Sequence, residues 1–122
     1  MRQLKKEIVK LLKGCCQNVF WSKAIADPDR YICYTLKTAS SIDGYEILEL
    51  QVDIWTVKGK DDNEWLDITT SKIKKSLNHL NIVEEEFSAV IYFDRTIFET
   101  TNDEKMKRNT MYFDVRYREG SI

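Results

Sequence analysis

The sequence predicts an α+β fold in which two helices pack on one face of a mixed or antiparallel sheet, in the order helix, hairpin, helix, hairpin. Two observations lead to this prediction. Apolar residues recur at helical spacing in two segments, and they alternate with other residues at strand spacing in four more. A chain of 122 residues is the size of one domain with one core, so we expect a single α+β domain over residues 1–122.

The first segment predicts an amphipathic helix that weakens or ends at Gly14. Its apolar positions share one face, and basic residues surround them; the apolar residues are Leu4, Ile8, Leu11, Leu12 and Cys15, and the basic residues are Arg2, Lys5, Lys6, Lys10 and Lys13. Such a patch could contact DNA or an acidic partner. A lysine-rich outer face is also common on surface helices, so the patch alone does not decide between these interpretations.

The first hairpin is predicted from alternation in residues 30–37 and 45–56. The first strand directs Ile32, Tyr34 and Leu36 to the core, and the second directs Leu48, Leu50, Val52 and Ile54 there. Between them, "KTASSIDG" ends in the turn pair Asp43-Gly44, which indicates a long polar loop. Upstream, Pro28 in "ADPDR" suits a turn.

A second helix should begin near Asp61, which stands three residues before Glu64 as in a capping box. The apolar stripe of this helix comprises Leu66, Ile73, Leu77 and Leu80, and His79 near the end would cap the helix or complement its dipole. A second hairpin follows, with "TNDEKMKRN" as its charged loop. Its core positions are Phe87, Ala89, Ile91 and Phe93 in one strand and Met111, Phe113, Val115 and Tyr117 in the other.

The composition gives no sign of catalysis, of a cofactor or of a metal. Four glycines are too few and too scattered for a phosphate-binding loop, and His79 is the single histidine, so a Cys/His zinc site is not expected. Glu49 and Asp53 lie four residues apart on one strand, about 13 Å, which is too far for paired catalytic carboxylates. Asp94 or Asp114 on a neighbouring strand could approach one of them, although carboxylates on an open sheet face are usually just solvated.

The net charge, the cysteine count and the length of the apolar runs are those of an ordinary globular protein. A formal net charge of −1 provides no general attraction to nucleic acid or membranes. The three cysteines, Cys15, Cys16 and Cys33, are odd in number and include an adjacent pair, so we expect free thiols in a reducing compartment. No export signal is visible, and the longest apolar run, "AVIYF", is far shorter than a membrane span; we expect the protein in the cytoplasm where it is made.

The second face of the predicted sheet is the best candidate for a functional surface. By alternation along the predicted strands, four of the six tyrosines fall on this face together with a tryptophan, carboxylates and arginines. These residue types are enriched or tolerated in hydrated protein interfaces. We predict a protein interface that includes Tyr45, Glu49, Asp53, Trp55, Tyr92, Tyr112 and Arg116. A half-solvated sheet face, on which the tyrosines only pack across strands, explains the pattern equally well.

The order of these segments resembles the tail terminator (tail completion) proteins of long-tailed bacteriophages and their prophage relatives. The resemblance rests on the N-terminal helix, "YICYTLK", "LQVDIWT", a helix ending near "KSLNHL" and a final hairpin, and it covers nearly the whole chain. Its most telling piece is "VDIW" at residues 52–55, followed at once by a helix. The segment "NVFWSKAIADPDR" matches no family feature.

The resemblance implies a non-enzymatic structural subunit without a cofactor. It implies a homo-oligomeric ring of six copies that caps the head-proximal end of the tail tube, stops tube polymerisation and offers the head connector a docking surface. The implied partners are further copies, the tail tube protein and head–tail connector proteins, with DNA only as passing cargo and no membrane. The protein would occupy the bacterial cytoplasm during assembly and the virion tail afterwards.

Several alternatives remain at this point. Related neck or minor structural proteins of the head–tail junction share this size and architecture. A monomeric adaptor could use the tyrosine-rich sheet face for one protein partner, and a small-molecule enzyme could assemble its site from distant residues. Within the ring, the loops "KTASSIDG" and "TNDEKMKRN" would project into the lumen or toward neighbouring subunits.

Overall fold

The computed structural model describes residues 1–24, 28–42, 44–57, 62–99 and 106–120. Within them the chain forms two helices and six strands. In chain order these are α1 (Arg2–Lys13), β1 (Val19–Trp21), β2 (Arg30–Ile42), β3 (Tyr45–Thr56), α2 (Asn63–Leu77), β4 (Leu80–Val83), β5 (Phe87–Glu99) and β6 (Lys107–Glu119).

All six strands belong to one sheet with the order β1-β2-β3-β6-β5-β4. The pair β1–β2 is parallel, and every other neighbouring pair is antiparallel. The last strand, β6, is inserted between β3 and β5 and joins the two halves of the chain. Bulges interrupt the register between Thr38 and Ser40 in β2 and between Phe93 and Arg95 in β5. Such irregularities bend strands and increase their twist.

The predicted fold class is wrong. The described residues are mostly strand and form a curled six-stranded half-barrel with two helices, and not two helices packed on a sheet in the order helix, hairpin, helix, hairpin. A short strand precedes each hairpin: β1 has three residues, too few to display an alternating pattern. In β4, Leu80 continues the apolar stripe of α2 in sequence, but His79 has φ 62° and ends the helical course before it.

The core confirms the predicted apolar faces of α1 and β3. Helix α1 buries Leu4, Ile8 and Leu12 and has Gly14 at its C-cap, where the sequence predicts its end. The alternating residues of β3 that were expected inside are fully buried; they are Leu48, Leu50, Val52 and Ile54. These side chains form one hydrophobic cluster with residues of α2, β5 and β6, so the sheet has an inner face and an outer face.

The predicted loop "KTASSIDG" is wrong, because β2 continues to Ile42 and pairs it with Tyr45. The turn between them is tight, and Gly44 adopts φ +82°, a conformation that favours glycine. The end of β2 is exposed on both faces, so its strand pairing produced no apolar alternation for the sequence to reveal. The second predicted loop is also shorter than expected, since residues 107–109 belong to β6.

Three sequence predictions fall wholly or partly on residues outside the described ranges. They are the turn in "ADPDR", the capping box that begins at Asp61, and the middle of "TNDEKMKRN". The described N-cap of α2 is Asp62, which is 4% exposed. Its carboxylate accepts a hydrogen bond from Arg30 Nε at 2.9 Å and others from Arg30 Nη2 and Thr56 Oγ1. One buried carboxylate thus joins the start of β2, the end of β3 and the start of α2.

Candidate protein interface

The strand register brings all seven predicted interface residues to the outer face, the side of the sheet opposite the core. β3 presents Tyr45, Glu49, Asp53 and Trp55 there, β5 presents Tyr92, and β6 presents Tyr112 and Arg116. Their burial classes range from intermediate to exposed. The outer face is therefore an accessible surface built on three adjacent strands, and whether it is an interface stays a prediction.

Arginine–aromatic pairs organise this surface. Four guanidinium groups lie over rings at 4.0–5.4 Å from the ring centroid; the pairs are Arg95 with Tyr112, Arg108 with Trp55, Arg116 with Tyr92, and Arg118 with Tyr45. Each pair combines a flat apolar ring with a planar cation, which is attracted to the ring face. Arginine and aromatic residues are enriched at protein interfaces, where they supply most of the binding energy.

Trp55 belongs to an aromatic row at one end of the outer face. Its ring stacks on Tyr31 with a centroid distance of 6.0 Å, and Tyr31 meets Phe20 of β1 edge-on at 6.3 Å. On the other side, Arg108 covers Trp55. The row crosses four strands, so Trp55 is held by rigid neighbours and remains partly accessible.

The carboxylates of the outer face occupy two different settings. Asp53 accepts a hydrogen bond from Thr110 Oγ1 at 2.7 Å and others from Gln51 Nε2 at 3.2–3.3 Å. Glu49 lies directly opposite Asp114 of β6. Like charges in such a cross-strand pair destabilise a sheet, but Lys37 pairs with Glu49 from the other side and supplies a nearby cation. These three charged side chains form a row across neighbouring strands that is open to solvent.

His79 does not belong to α2, in contrast to its predicted role as a cap. The helix ends at Leu77 with Asn78 as the C-cap, and Asn78 Oδ1 accepts a hydrogen bond from the backbone N–H of Phe93 at 2.9 Å. The His79 ring instead meets Tyr92 edge-on at a centroid distance of 5.6 Å. His79 therefore extends the aromatic part of the outer face toward β4.

An open groove of about 580 Å³ lies on the outer face near the β2–β3 turn. Its lining is mainly apolar and aromatic and also contains polar residues; it includes Ile42, Tyr45, Ile47, Val90, Tyr92 and Arg116. Ile42 and Tyr45 are 54% and 44% exposed. Exposed apolar residues rimmed by polar ones are typical of a protein contact surface.

No protein-family model and no curated protein matches this chain. A solved structure does match it. That structure is described as "Virion of native gene transfer agent (GTA) particle", and one of its chains aligns with 94% of this chain and 91% of its own length, at a TM-score of 0.66 and 14% identity. The two chains share a fold. At this identity the likeness extends to the fold and not to the chemistry of individual residues.

Sequence reasoning missed two arginines of the outer face. Arg108 lay inside the predicted loop "TNDEKMKRN", although the polar strand start at residues 107–109 continues the β6 alternation. Strict strand alternation put Arg95 on the inner face, but the bulge between Phe93 and Arg95 shifts it onto the same face as Tyr112. A bulge of this kind leaves no clear signal in a single sequence.

Metal-binding clusters and membrane-spanning helices are both absent from the described ranges. In these parts of the chain, histidine, cysteine, aspartate and glutamate side chains do not form a group of three or more that could hold a metal ion. Neither described helix is long and apolar enough to cross a membrane.

Proposed function

We propose that this chain is a structural subunit of a phage-like particle. The observation that carries the proposal is the fold match to a chain of a gene transfer agent virion, which covers nine-tenths or more of both chains. A match over both full lengths argues for a shared architecture and not for one common motif. The arginine–aromatic outer face adds a surface suited to contact with other virion proteins.

Within the particle, we assign the chain the role of a tail terminator. In this role, copies form a ring, with six as the expected number, on the head-proximal end of the tail tube. The ring stops tube growth and provides the docking surface for the head connector. The basis for this finer assignment is the sequence resemblance, above all the strand that ends in "VDIW" and the helix that follows it.

This role needs contacts and no chemistry. The partners are neighbouring copies, the tube protein and connector proteins, and DNA passes only as cargo. We assign the outer face, with Trp55, Asp53 and Arg116, to one of these protein contacts. The subunit would assemble in the bacterial cytoplasm and remain in the virion tail. A catalytic role, a cofactor and a membrane contact are not part of the proposal.

Removal of the gene from a host that produces the particle tests this function. We expect full heads without attached tails, together with free tail tubes of uncontrolled length, in electron micrographs of the lysate. A plasmid copy of the wild-type gene should restore tailed particles of normal length. The double variant Trp55→Ala, Asp53→Lys should fail to restore them, whereas Ile68→Ala, on the exposed side of α2, should restore them.

Normal tailed particles in the deletion strain would contradict the structural role. Heads with attached tails of normal length but with another defect would favour a different neck or minor structural protein. A protein that is absent from purified particles and binds one cellular partner through Trp55 would support the monomeric adaptor instead.

A further inference from the structure

The sheet has stepped edges, because each edge strand covers only part of its neighbour. On one side, the short strand β1 pairs with β2 only from Ile32 to Tyr34. On the other side, β4 pairs with β5 only from Ser88 to Ile91. Among the described residues, 36–42 of β2 and 94–99 of β5 have no strand partner on these sides. Each edge therefore consists of a projecting strand and an open segment.

The strand register shows that the two steps are complementary. Following the paired residues across the sheet, Ile82 of β4 lies level with Ser41 in the open segment of β2. By the same route, Phe98 in the open segment of β5 lies level with Val19 of β1. Each strand thus projects from one edge at the level where the opposite edge is open.

The same edge segments carry much of the exposed apolar surface. Eight large hydrophobic side chains are exposed in the described ranges, and five of them lie on β1, β4 or the two open segments; they are Trp21, Ile42, Val83, Ile97 and Phe98. Val83 and Phe98 are the most exposed of the eight, at 67% and 66%. Apolar side chains on an open strand edge favour pairing with another strand.

We propose that these two edges join neighbouring copies of this chain into one continuous sheet. β4 of one copy pairs with the open segment of β2 in the next copy, and β1 of that next copy pairs with the open segment of β5 in the first. β1 and β4 run in the same direction, so together they fill a single strand position between β5 and the neighbouring β2. A second copy is the partner because every chain supplies both projections and both openings.

Side chains on the outer face match across this contact. Val83 follows the buried Ile82 and therefore faces outward, and Ile42 at the same level lines the outer-face groove. At the other end of the edge, Ile97 is level with Phe20, which is part of the aromatic row. Each of these side chains gains an apolar cross-strand neighbour, which stabilises strand pairing.

The backbone leaves room for both strands in the shared position. β1 ends at the level of Tyr34 and β4 begins at the level of Thr38, so about 13 Å separates them along the strand direction. Ser22 follows β1 with φ 68°, and His79 precedes β4 with φ 62°. Both conformations are left-handed and end an extended course, so the two chains turn out of the sheet before they meet.

Charges of opposite sign border this gap. Lys37 of β2 and Asp94 of β5 lie at the levels between the end of β1 and the start of β4, and both are exposed. Within one copy, Asp94 pairs with Arg95 at the surface. In the joined sheet, Lys37 of the next copy stands across the gap from this carboxylate. Such complementarity favours the matched level over a shifted one.

Both pairings keep neighbouring copies at the same level, so there is no rise from one copy to the next. The contact is heterologous, and a heterologous contact closes into a ring when its rotation allows closure. The inference rests on the proposed ring and identifies the surfaces that join its subunits.

Cysteine pairs across the two edges test the contact in particles assembled from plasmid-supplied variants. Val83→Cys with Ile42→Cys places one thiol on each edge near the β2–β3 turn, and Ile97→Cys with Phe20→Cys does so at the other end. After mild oxidation, we expect each pair to give a covalent ladder on non-reducing gels, because paired strands bring such side chains within disulfide distance. The wild type, which keeps the native thiols, should give no ladder.

The matched control is Val83→Cys with Ile97→Cys, which places both thiols on the same edge and should leave the chain monomeric on the gel. In solution, Val83→Lys with Phe98→Lys should weaken self-association roughly tenfold or more in sedimentation velocity. Ile68→Lys with Ser71→Lys adds the same charge on the exposed side of α2 and should leave association unchanged. Circular dichroism checks that all variants are folded.

Three results would overturn the contact. A ring in particles that gives no ladder from either cross-edge pair shows that other surfaces join the copies, and it leaves the proposed function intact. Covalent dimers of the single variant Val83→Cys would show that β4 pairs with β4 instead. Particles with a complete head–tail junction that lack the chain overturn the proposed function together with this contact.

Discussion

Asp62 is the residue at which three elements meet, and its carboxylate is almost completely buried. Arg30 holds it from β2, Thr56 from β3, and Asp62 itself is the N-cap of α2. The hydrogen bond with this carboxylate raises the pKa of the Arg30 guanidinium, so the guanidinium stays charged. The Arg30 guanidinium also lies over the Trp65 ring, 4.9 Å from its centroid, and this contact connects α2 to the junction.

Asp62→Asn keeps the shape of the side chain and removes its charge. Because Arg30 and Thr56 then lose their charged acceptor, we expect the free energy of unfolding to fall by about 2 kcal/mol. Urea unfolding followed by tryptophan fluorescence measures this loss. Asp67→Asn on the exposed side of α2 is the matched control. An equal loss of unfolding free energy in both variants would contradict a stabilising role of the Asp62 junction.

Cys33 should be the least reactive thiol of the folded protein. Burial, followed by the nearby Asp53 carboxylate, raises the pKa of the Cys33 thiol from 9.0 to about 11. On the order of 0.1% of it is thiolate at pH 8, and only the thiolate is nucleophilic. Native labelling with iodoacetamide at pH 8, read by mass spectrometry, should modify Cys15 well before Cys33. In 6 M guanidinium the difference should disappear; a difference that persists there, or rapid native labelling of Cys33, would contradict this prediction.

Tyr117 should make stability depend on alkaline pH. Its hydroxyl accepts a hydrogen bond from the N-terminal ammonium of Met1 at 2.9 Å and donates one to Glu119 at 3.2 Å, and burial together with Glu119 raises its pKa to about 12. The unfolded phenol titrates near pH 10. The folded state therefore retains the proton longer, so this contribution is complete below pH 10 and is lost as pH rises toward 12.

Tyr117→Phe removes this titration and the tie to the start of α1. At pH 7 we expect the variant to lose about 1 kcal/mol of stability. Between pH 9 and pH 11.5, wild-type stability should fall more steeply than that of the variant, as measured by urea unfolding at each pH. Parallel pH profiles would mean that Tyr117 does not titrate differently in the folded and unfolded states.

At the scale of elements, the tight β2–β3 turn depends on Gly44. Its φ of +82° is unfavourable for residues with a Cβ atom, and a Cβ built there would meet no atom within 4 Å. Gly44→Ala should therefore cost about 1 kcal/mol through backbone strain alone, and Gly44→Asn should cost less because asparagine tolerates this region. Thermal unfolding compares them; an unchanged midpoint in Gly44→Ala would contradict the required conformation.

The elements with strong apolar periodicity could be predicted from sequence, and those without it could not. Helix α1 and the alternation of β3 were correct because one face of each is committed to the core. The polar end of β2 pairs through its backbone while its side chains face solvent, so its pattern resembles a loop. Strands β1 and β4 are too short to carry a period, and these omissions made the predicted fold class wrong.

At the scale of the whole molecule, strand parity alone placed the seven predicted interface residues on one face. Parity could not reveal that Arg95 joins this face after a bulge, nor which arginine covers which ring, because both depend on how β5, β6 and β3 align. Nor could the sequence show the insertion of β6 into the middle of the sheet.

The outer face can be tested without unfolding the subunit. Trp55→Ala with Asp53→Lys removes one ring of the aromatic row and reverses a carboxylate, so we expect loss of the oligomer while the monomer stays folded. Light scattering measures the mass, and circular dichroism checks the fold. Asp53→Asn is the control that keeps the hydrogen bond from Thr110. An intact oligomer in the double variant would mean that this face is simply a solvated surface.

Cryo-electron microscopy of purified particles tests the central claim most directly. The account predicts density for this fold at the head-proximal end of the tail tube, repeated around the tube axis as a closed ring between tube and connector. Mass spectrometry of the same particles should detect the chain in a small, fixed number of copies. Particles with a complete head–tail junction in which neither method finds the chain would contradict its role as a structural subunit.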